Sequence, residues 1–180
     1  MTRQIKIIII AGCMLLGIIL FAIPFVSIEQ MEILGQGGGY ATANGFQFSF
    51  GAFELLFDDA EEVLTGDLQN AIKSSFIVSE TATQFTALFG LLTILSAVAS
   101  IVLLVLNYFK ILPNFSIVKI LLIVTSALML LTVIFNIAII GDVNKELDGT
   151  DLKAFALAFI PALFIFGSTA CAYVIKPKKK

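Results

Sequence analysis

Hydrophobic residues gather in four runs, Ile7–Val26, Phe85–Phe109, Ile120–Ile140 and Ala154–Ile175, each at least 20 residues long and uncharged throughout. At about 1.5 Å rise per residue, a helix of that length crosses a hydrocarbon core of roughly 30 Å. Helices buried in water-soluble proteins seldom run so far without a charge. The pattern predicts a membrane all-α fold, a four-helix transmembrane bundle forming one domain over residues 1-180.

Between the first two runs lies a polar, mostly acidic insert, 28-83, with patterns of its own. Ile28–Leu34 is strand-like, and Gly35–Gly39 is a flexible turn. Tyr40–Ala43, Asn44-Gly45 and Phe46–Phe50 predict a β-hairpin: Asn-Gly suits a type I′ turn, and Phe46, Phe48 and Phe50 alternate with polar residues. From Phe53 the period lengthens. Phe53, Leu56, Phe57, Ala60, Val63 and Leu64 recur at helical spacing opposite Glu54, Asp58, Asp59, Glu61 and Glu62, predicting an amphipathic helix. The insert is expected to fold as an extracellular sheet-plus-helix cap, because five phenylalanines between Phe46 and Phe57 are costly to leave in water.

Small and polar residues mark one face of each span. Thr86, Gly90, Thr93, Ala97, Ser100, Leu104 and Asn107 follow three- and four-residue steps in the second, and Ala154, Ala158, Ala162, Ser168 and Ala172 do so in the fourth. In lipid, helices associate through close contact of small residues and interhelical hydrogen bonds, so these faces are expected to be interfaces. Asn107 and Asn136 are expected to bond between helices. Gly12 and Gly17 allow a close approach by the first helix, and Pro161 predicts a kink in the fourth.

Charge supplies the orientation. Eight of the 11 basic residues flank the first run, the second connection and the C-terminus, where no acid occurs; all 13 acids fall in the other two connections. The positive-inside rule then places both termini in the cytoplasm of a multi-pass plasma-membrane protein. A signal peptide and a lipobox at Ile10–Cys13 are weaker readings than an uncleaved helix, since apolar sequence continues to Val26. The C-terminal lysines serve as a topology signal. Cys13 and Cys171 are not placed for an extracellular disulfide.

Much chemistry is excluded. The chain has no histidine, no charge deep in a span, no P-loop and no metal-ligand cluster. Ion-coupled transport and catalysis are therefore not expected, nor are a cofactor, a bound metal or a nucleic-acid partner. The acidic group around Asp58 lacks the ligand spacing of a calcium loop, and the Asn114-Phe115-Ser116 sequon falls on the cytoplasmic side.

Four helices, a large first outer connection with strands and a short second one resemble the claudin and peripheral-myelin-protein arrangement. The chain lacks the Gly-Leu-Trp motif and the cysteine pair of claudins, so junction formation is not carried over. Pro24-Phe25-Val26-Ser27 followed by Asn44-Gly45-Phe46 is similar to small bacterial four-helix membrane proteins, a likeness that implies no activity. The expected function is that of a non-enzymatic accessory or interaction subunit acting through its extracellular segment on a membrane or extracellular protein. The alternative is a homo-oligomeric pore lined by the polar stripe of the second span.

Overall fold

The structure, a computed structural model, describes residues 3–29, 40–46, 49, 80–112, 114–146, 154–155 and 157–174. In chain order its elements are α1 (Arg3–Ile19), extended by a 3-10 turn (Leu20–Ala22), then β1 (Pro24–Glu29), β2 (Tyr40–Asn44), α2 (Glu80–Tyr108), α3 (Phe115–Glu146), β3 (Ala154–Phe155) and α4 (Phe159–Val174). Among the described residues, three helical stretches are long and apolar enough to cross a membrane: Arg3–Ala22, Gln84–Tyr108 and Phe115–Asp142. The chain divides into two compact units. One comprises Met1–Leu20, Leu92–Leu130 and Phe159–Lys180; the other comprises Phe21–Leu91 and Leu131–Ala158.

In the first unit, polar groups meet between each pair of neighbouring helices. Arg3 Nη2 donates to Asn107 Oδ1 at 2.9 Å, linking α1 to α2. The hydroxyls of Ser100 and Thr125 lie 3.4 Å apart between α2 and α3. Thr169 Oγ1 donates to the Leu122 carbonyl at 3.0 Å. Its single proton thus used, Thr169 accepts from Ser126 at 2.8 Å, joining α3 to α4. Lys6 Nζ donates to the Ala172 carbonyl at 2.6 Å and returns the circuit to α1. The apolar interior is Ile7, Ile10, Met14, Leu104, Val118, Leu122, Met129 and Ile165, each at most 3% exposed. Gly17 brings α1 against α4: a Cβ there would lie 2.7 Å from Ile165 Cγ1 and 3.4 Å from the Pro161 carbonyl. Gly12, expected to act likewise, is exposed and has nothing within 4 Å of its Cβ position.

The ends of these helices follow from local chemistry. Lys110 adopts φ 62° just after α2. Ile111 N–H then reaches the Leu106 carbonyl and Lys110 N–H the Asn107 carbonyl, which is a Schellman closure with lysine where glycine is usual. Asn114 Oδ1 accepts from Ser116 N–H at 2.9 Å and caps α3. That capping bond is what the sequon asparagine does in the fold.

The second unit contains a sheet of order β2-β1-β3, antiparallel throughout. Val26 to Glu29 pair with Ala43 to Tyr40 after an irregularity at Pro24, while Ser27 and Ile28 pair with Phe155 and Ala154. Proline cannot donate to a ladder, so it is tolerated at the first residue of a strand. Phe21 and Phe25, both fully buried, have ring centroids 5.2 Å apart, and Phe46 lies 5.9 Å from Phe21. Phe85, Phe89 and Phe135 form a second cluster, with centroids 5.0 to 5.8 Å apart, between α2 and α3.

Several expectations are corrected here. Gly45, Phe46 and Ser49 are helical, so Asn44-Gly45 is not the turn of a hairpin with Phe46–Phe50 as its second strand. Ser49 Oγ donates to the Gly45 carbonyl at 2.7 Å, the four-residue reach of a helix. Phe46, Phe50, Phe53 and Phe57 fit helical spacing as well as Phe46, Phe48 and Phe50 fit a strand, which explains the misreading. The first span ends before Pro24, and Pro24–Val26 belong to β1. Ala154 is in β3 and not on a helix; α4 starts at Phe159, and its 16 described residues rise about 24 Å. Pro161 is therefore in the first turn of α4, where its missing N–H breaks no helical bond, and it makes no mid-span kink. Phe48, Phe50, Phe53, Phe57 and the expected amphipathic helix lie outside the described residues.

Candidate functional site

Along α2, Gly90, Thr93, Ala97, Ser100, Leu104 and Asn107 are all buried. The exposed positions between Leu92 and Val105 are Leu92, Leu95, Val98, Ala99, Val102 and Val105, all apolar. The helix is thus inverted relative to one from a water-soluble protein, with its polar face inside. The hydroxyls tolerate this because the helices satisfy them locally. Thr86 donates to the Ala82 carbonyl, Ser100 to that of Ser96 and Thr125 to that of Leu121, each at 2.8 or 2.9 Å. Such bonds leave the helix exterior free of polar groups and let small side chains sit deep in the interface. An oligomeric pore lined by this stripe would need these side chains at the surface, and the chain's own fold encloses them.

The remaining predicted residues fall in three places. Asn107 is a junction between helices: it accepts from Arg3 and donates through Nδ2 to the Leu112 carbonyl at 2.7 Å. Asn136, fully buried, has neither amide atom hydrogen-bonded among the described residues, contrary to its expected interhelical role. In the second unit a Cβ on Gly90 would lie 2.5 Å from Ser49 Oγ, so this glycine admits the helical residue Ser49 against α2. In α4 the buried face contains Ala162, Ser168 and Ala172, with Ala158 buried just ahead of the helix, while Phe159 is 52% exposed. Cys13 and Cys171 are free thiols, each half-buried.

One cluster escaped the sequence reading. Arg3, Lys6, Ile7, Phe115 and Lys119 line a half-open pocket of about 210 Å³ in the first unit. Lys6 is 7% exposed, and its ammonium lies 5.3 Å from the Phe115 ring centroid. Lys119 Nζ stands 4.7 Å from the centre of the Tyr173 ring. These cations read as topology signals because each flanks a span. Helical arithmetic does show part of the group: residues 3, 6 and 7 share one face of α1, and 115 and 119 share one face of α3. No group of three or more histidine, cysteine or acidic side chains suited to a metal occurs among the described residues. No family model, curated protein or solved structure matches the chain.

Proposed function

We propose that the chain is a multi-pass protein of the plasma membrane, with both termini and the α2–α3 connection in the cytoplasm. It acts without catalysis as an accessory or interaction subunit through the segment between β1 and α2. The observation that carries this reading is the inverted polarity of α2. Thr86, Thr93, Ser100 and Asn107 are at most 1% exposed, whereas Leu95 and Val102 are about half exposed. Lipid is the solvent that favours this arrangement, and it leaves α2 no exposed polar side chain between Leu92 and Val105 with which to engage a substrate. Recognition of another molecule then falls to the segment outside the spans, where the acids and the remaining phenylalanines are concentrated.

Orientation is tested at the two ends of α3. Ser116 and Asn144 are both exposed and, being 28 residues apart along the helix, about 42 Å distant. In a Cys13→Ala, Cys171→Ala background, Asn144→Cys is expected to react with an impermeant maleimide on intact cells. Ser116→Cys should react only after permeabilisation. The opposite result places the termini outside. The interaction role is tested by purifying the intact chain from native membranes in mild detergent. A stoichiometric partner should accompany it and be lost from the Phe53→Ser, Phe57→Ser double variant without a change in melting temperature. A chain that purifies alone, or a partner indifferent to the substitutions, removes the accessory reading.

A further inference from the structure

We propose that Cys13 of α1 and Cys171 of α4 are a paired modification site, oxidised to an interhelical disulfide by a hydroperoxide carried on a membrane lipid. The two helices pack antiparallel in the first unit: Lys6 reaches the Ala172 carbonyl, while Gly17 meets Pro161 and Ile165. Cys13 lies between these contacts, one turn from the close approach at Gly17. Side chains on a helix lean toward its N-terminus, so in antiparallel neighbours they lean in opposite directions. Cys171, set slightly beyond the level of Cys13, therefore leans back toward it. The two side chains are within hydrogen-bonding reach of each other, and both are free thiols. Converging thiols on close-packed helices are what a disulfide requires.

The surroundings select the oxidant. Measured from Arg3, where the first span begins, Cys13 is about 15 Å along the helix, half of a hydrocarbon core of roughly 30 Å. Ile9 and Leu16, one turn to either side of it, are exposed and apolar. Gly12, beside Cys13, and Gly167, one turn before Cys171, have nothing within 4 Å of their Cβ positions. A lipid chain thus has an open, apolar approach to two half-buried sulfurs, whereas a solute confined to water does not. The chemistry balances with one hydroperoxide. The first sulfur takes the terminal oxygen, the O–O bond breaks, and the thiol proton goes to the oxygen that leaves as a lipid alcohol. The second sulfur then displaces water from the resulting sulfenic acid, forming S–S as S–O breaks. The two sulfurs together give up two electrons, which the O–O bond receives. The site rests on the spans lying in lipid but on neither their orientation nor a partner for the outer segment, so it is separable from the labelling and purification results.

The experiment uses the purified full-length chain, reduced and placed in phosphatidylcholine vesicles. Phosphatidylcholine hydroperoxide is mixed into the bilayer, or an equal amount of hydrogen peroxide is added to the buffer. The lipid hydroperoxide should remove two hydrogens from the intact mass and join the Cys13 and Cys171 peptides within one chain, both reversed by dithiothreitol. The joined chain should melt at a higher temperature, because the bond ties together segments far apart in sequence. Hydrogen peroxide should join them more slowly, since oxidation follows access. Cys13→Ser and Cys171→Ser should each stop at a sulfenic acid that dimedone traps. The corresponding alanine variants guard against a folding defect from the added hydroxyl, and should stop at the same point. Thiols that remain open to alkylation in the hydroperoxide vesicles, or links formed only between two chains, overturn the pairing. Equal rates with the two peroxides overturn the lipid-borne oxidant.

Discussion

Gly45→Ala is expected to cost about 1–3 kcal/mol of stability, and Gly45→Val more, to the point that little folded protein is recovered. A Cβ at this position would lie 2.5 and 2.6 Å from Cε1 and Cζ of Phe25 and 2.9 Å from Cδ1 of Phe21. Neither ring has room to retreat: both are fully buried and they contact one another. Displacing them would also disturb the start of β1, which contains Phe25 and pairs on both of its edges. The cause is lateral crowding, not backbone conformation, and one further variant separates the two. Asparagine tolerates the positive φ of a hairpin turn, so Gly45→Asn would be mild if that turn existed. Here it should be as damaging as alanine or worse. Gly12→Val, at a position open on all sides, is the control. Melting temperature and monodisperse yield in detergent measure the series; a Gly45→Asn variant as stable as the parent would mean the aromatic cluster is not packed as described.

Asn136→Leu is expected to stabilise the protein by about 1–3 kcal/mol, the usual penalty for a buried polar group without a partner. The side chain is fully buried, and neither its oxygen nor its nitrogen has a protein partner among the described residues. Leucine has a similar branched outline and no polar atoms to desolvate. Asn136→Ala removes the same polar atoms but leaves a void, and should fall below the leucine variant. Reversible unfolding in mixed micelles gives the comparison. If Asn136→Leu is instead less stable by more than about 1 kcal/mol, the amide is satisfied in the membrane by water or a second molecule, and Asn136 is a functional polar site.

The interior faces of the spans were legible because lipid reverses the usual code. With apolar residues everywhere, the informative positions are the rare small and polar ones, and the steps from Thr86 to Asn107 can be read directly. The ends of the spans were not legible. Pro24-Phe25-Val26 and Ala154-Phe155 are as apolar as the helices beside them, and hydropathy has no means of separating the last turn of a membrane helix from a strand. What makes Ala154-Phe155 a strand is its pairing with Ile28 and Ser27 across more than 120 residues of chain, while Pro24 and Val26 pair with Asn44 and Ala43, and no local pattern reports such partners. At Asn44-Gly45 the local signal was strong but double-valued, since asparagine also suits the cap of a helix. The basic pocket was half visible. Each helix shows its own residues, three on α1 and two on α3, but the meeting of Lys6 with Lys119 is a property of the closed bundle.

The contact between α1 and α4 also constrains how the protein is made. Gly17 meets Ile165, and Lys6 bonds the carbonyl of Ala172, 166 residues away. At a synthesis rate of roughly 5–20 residues per second, the first helix waits on the order of ten seconds or more for its partner to emerge from the ribosome. Throughout that interval the Gly17 groove and the Lys6 ammonium face lipid or the insertion machinery and not α4. The circuit of polar contacts around the first unit is therefore closed by α4, the last of its four helices in chain order, so a nascent chain that stalls before Phe159 has α1, α2 and α3 but an open seam where α4 packs.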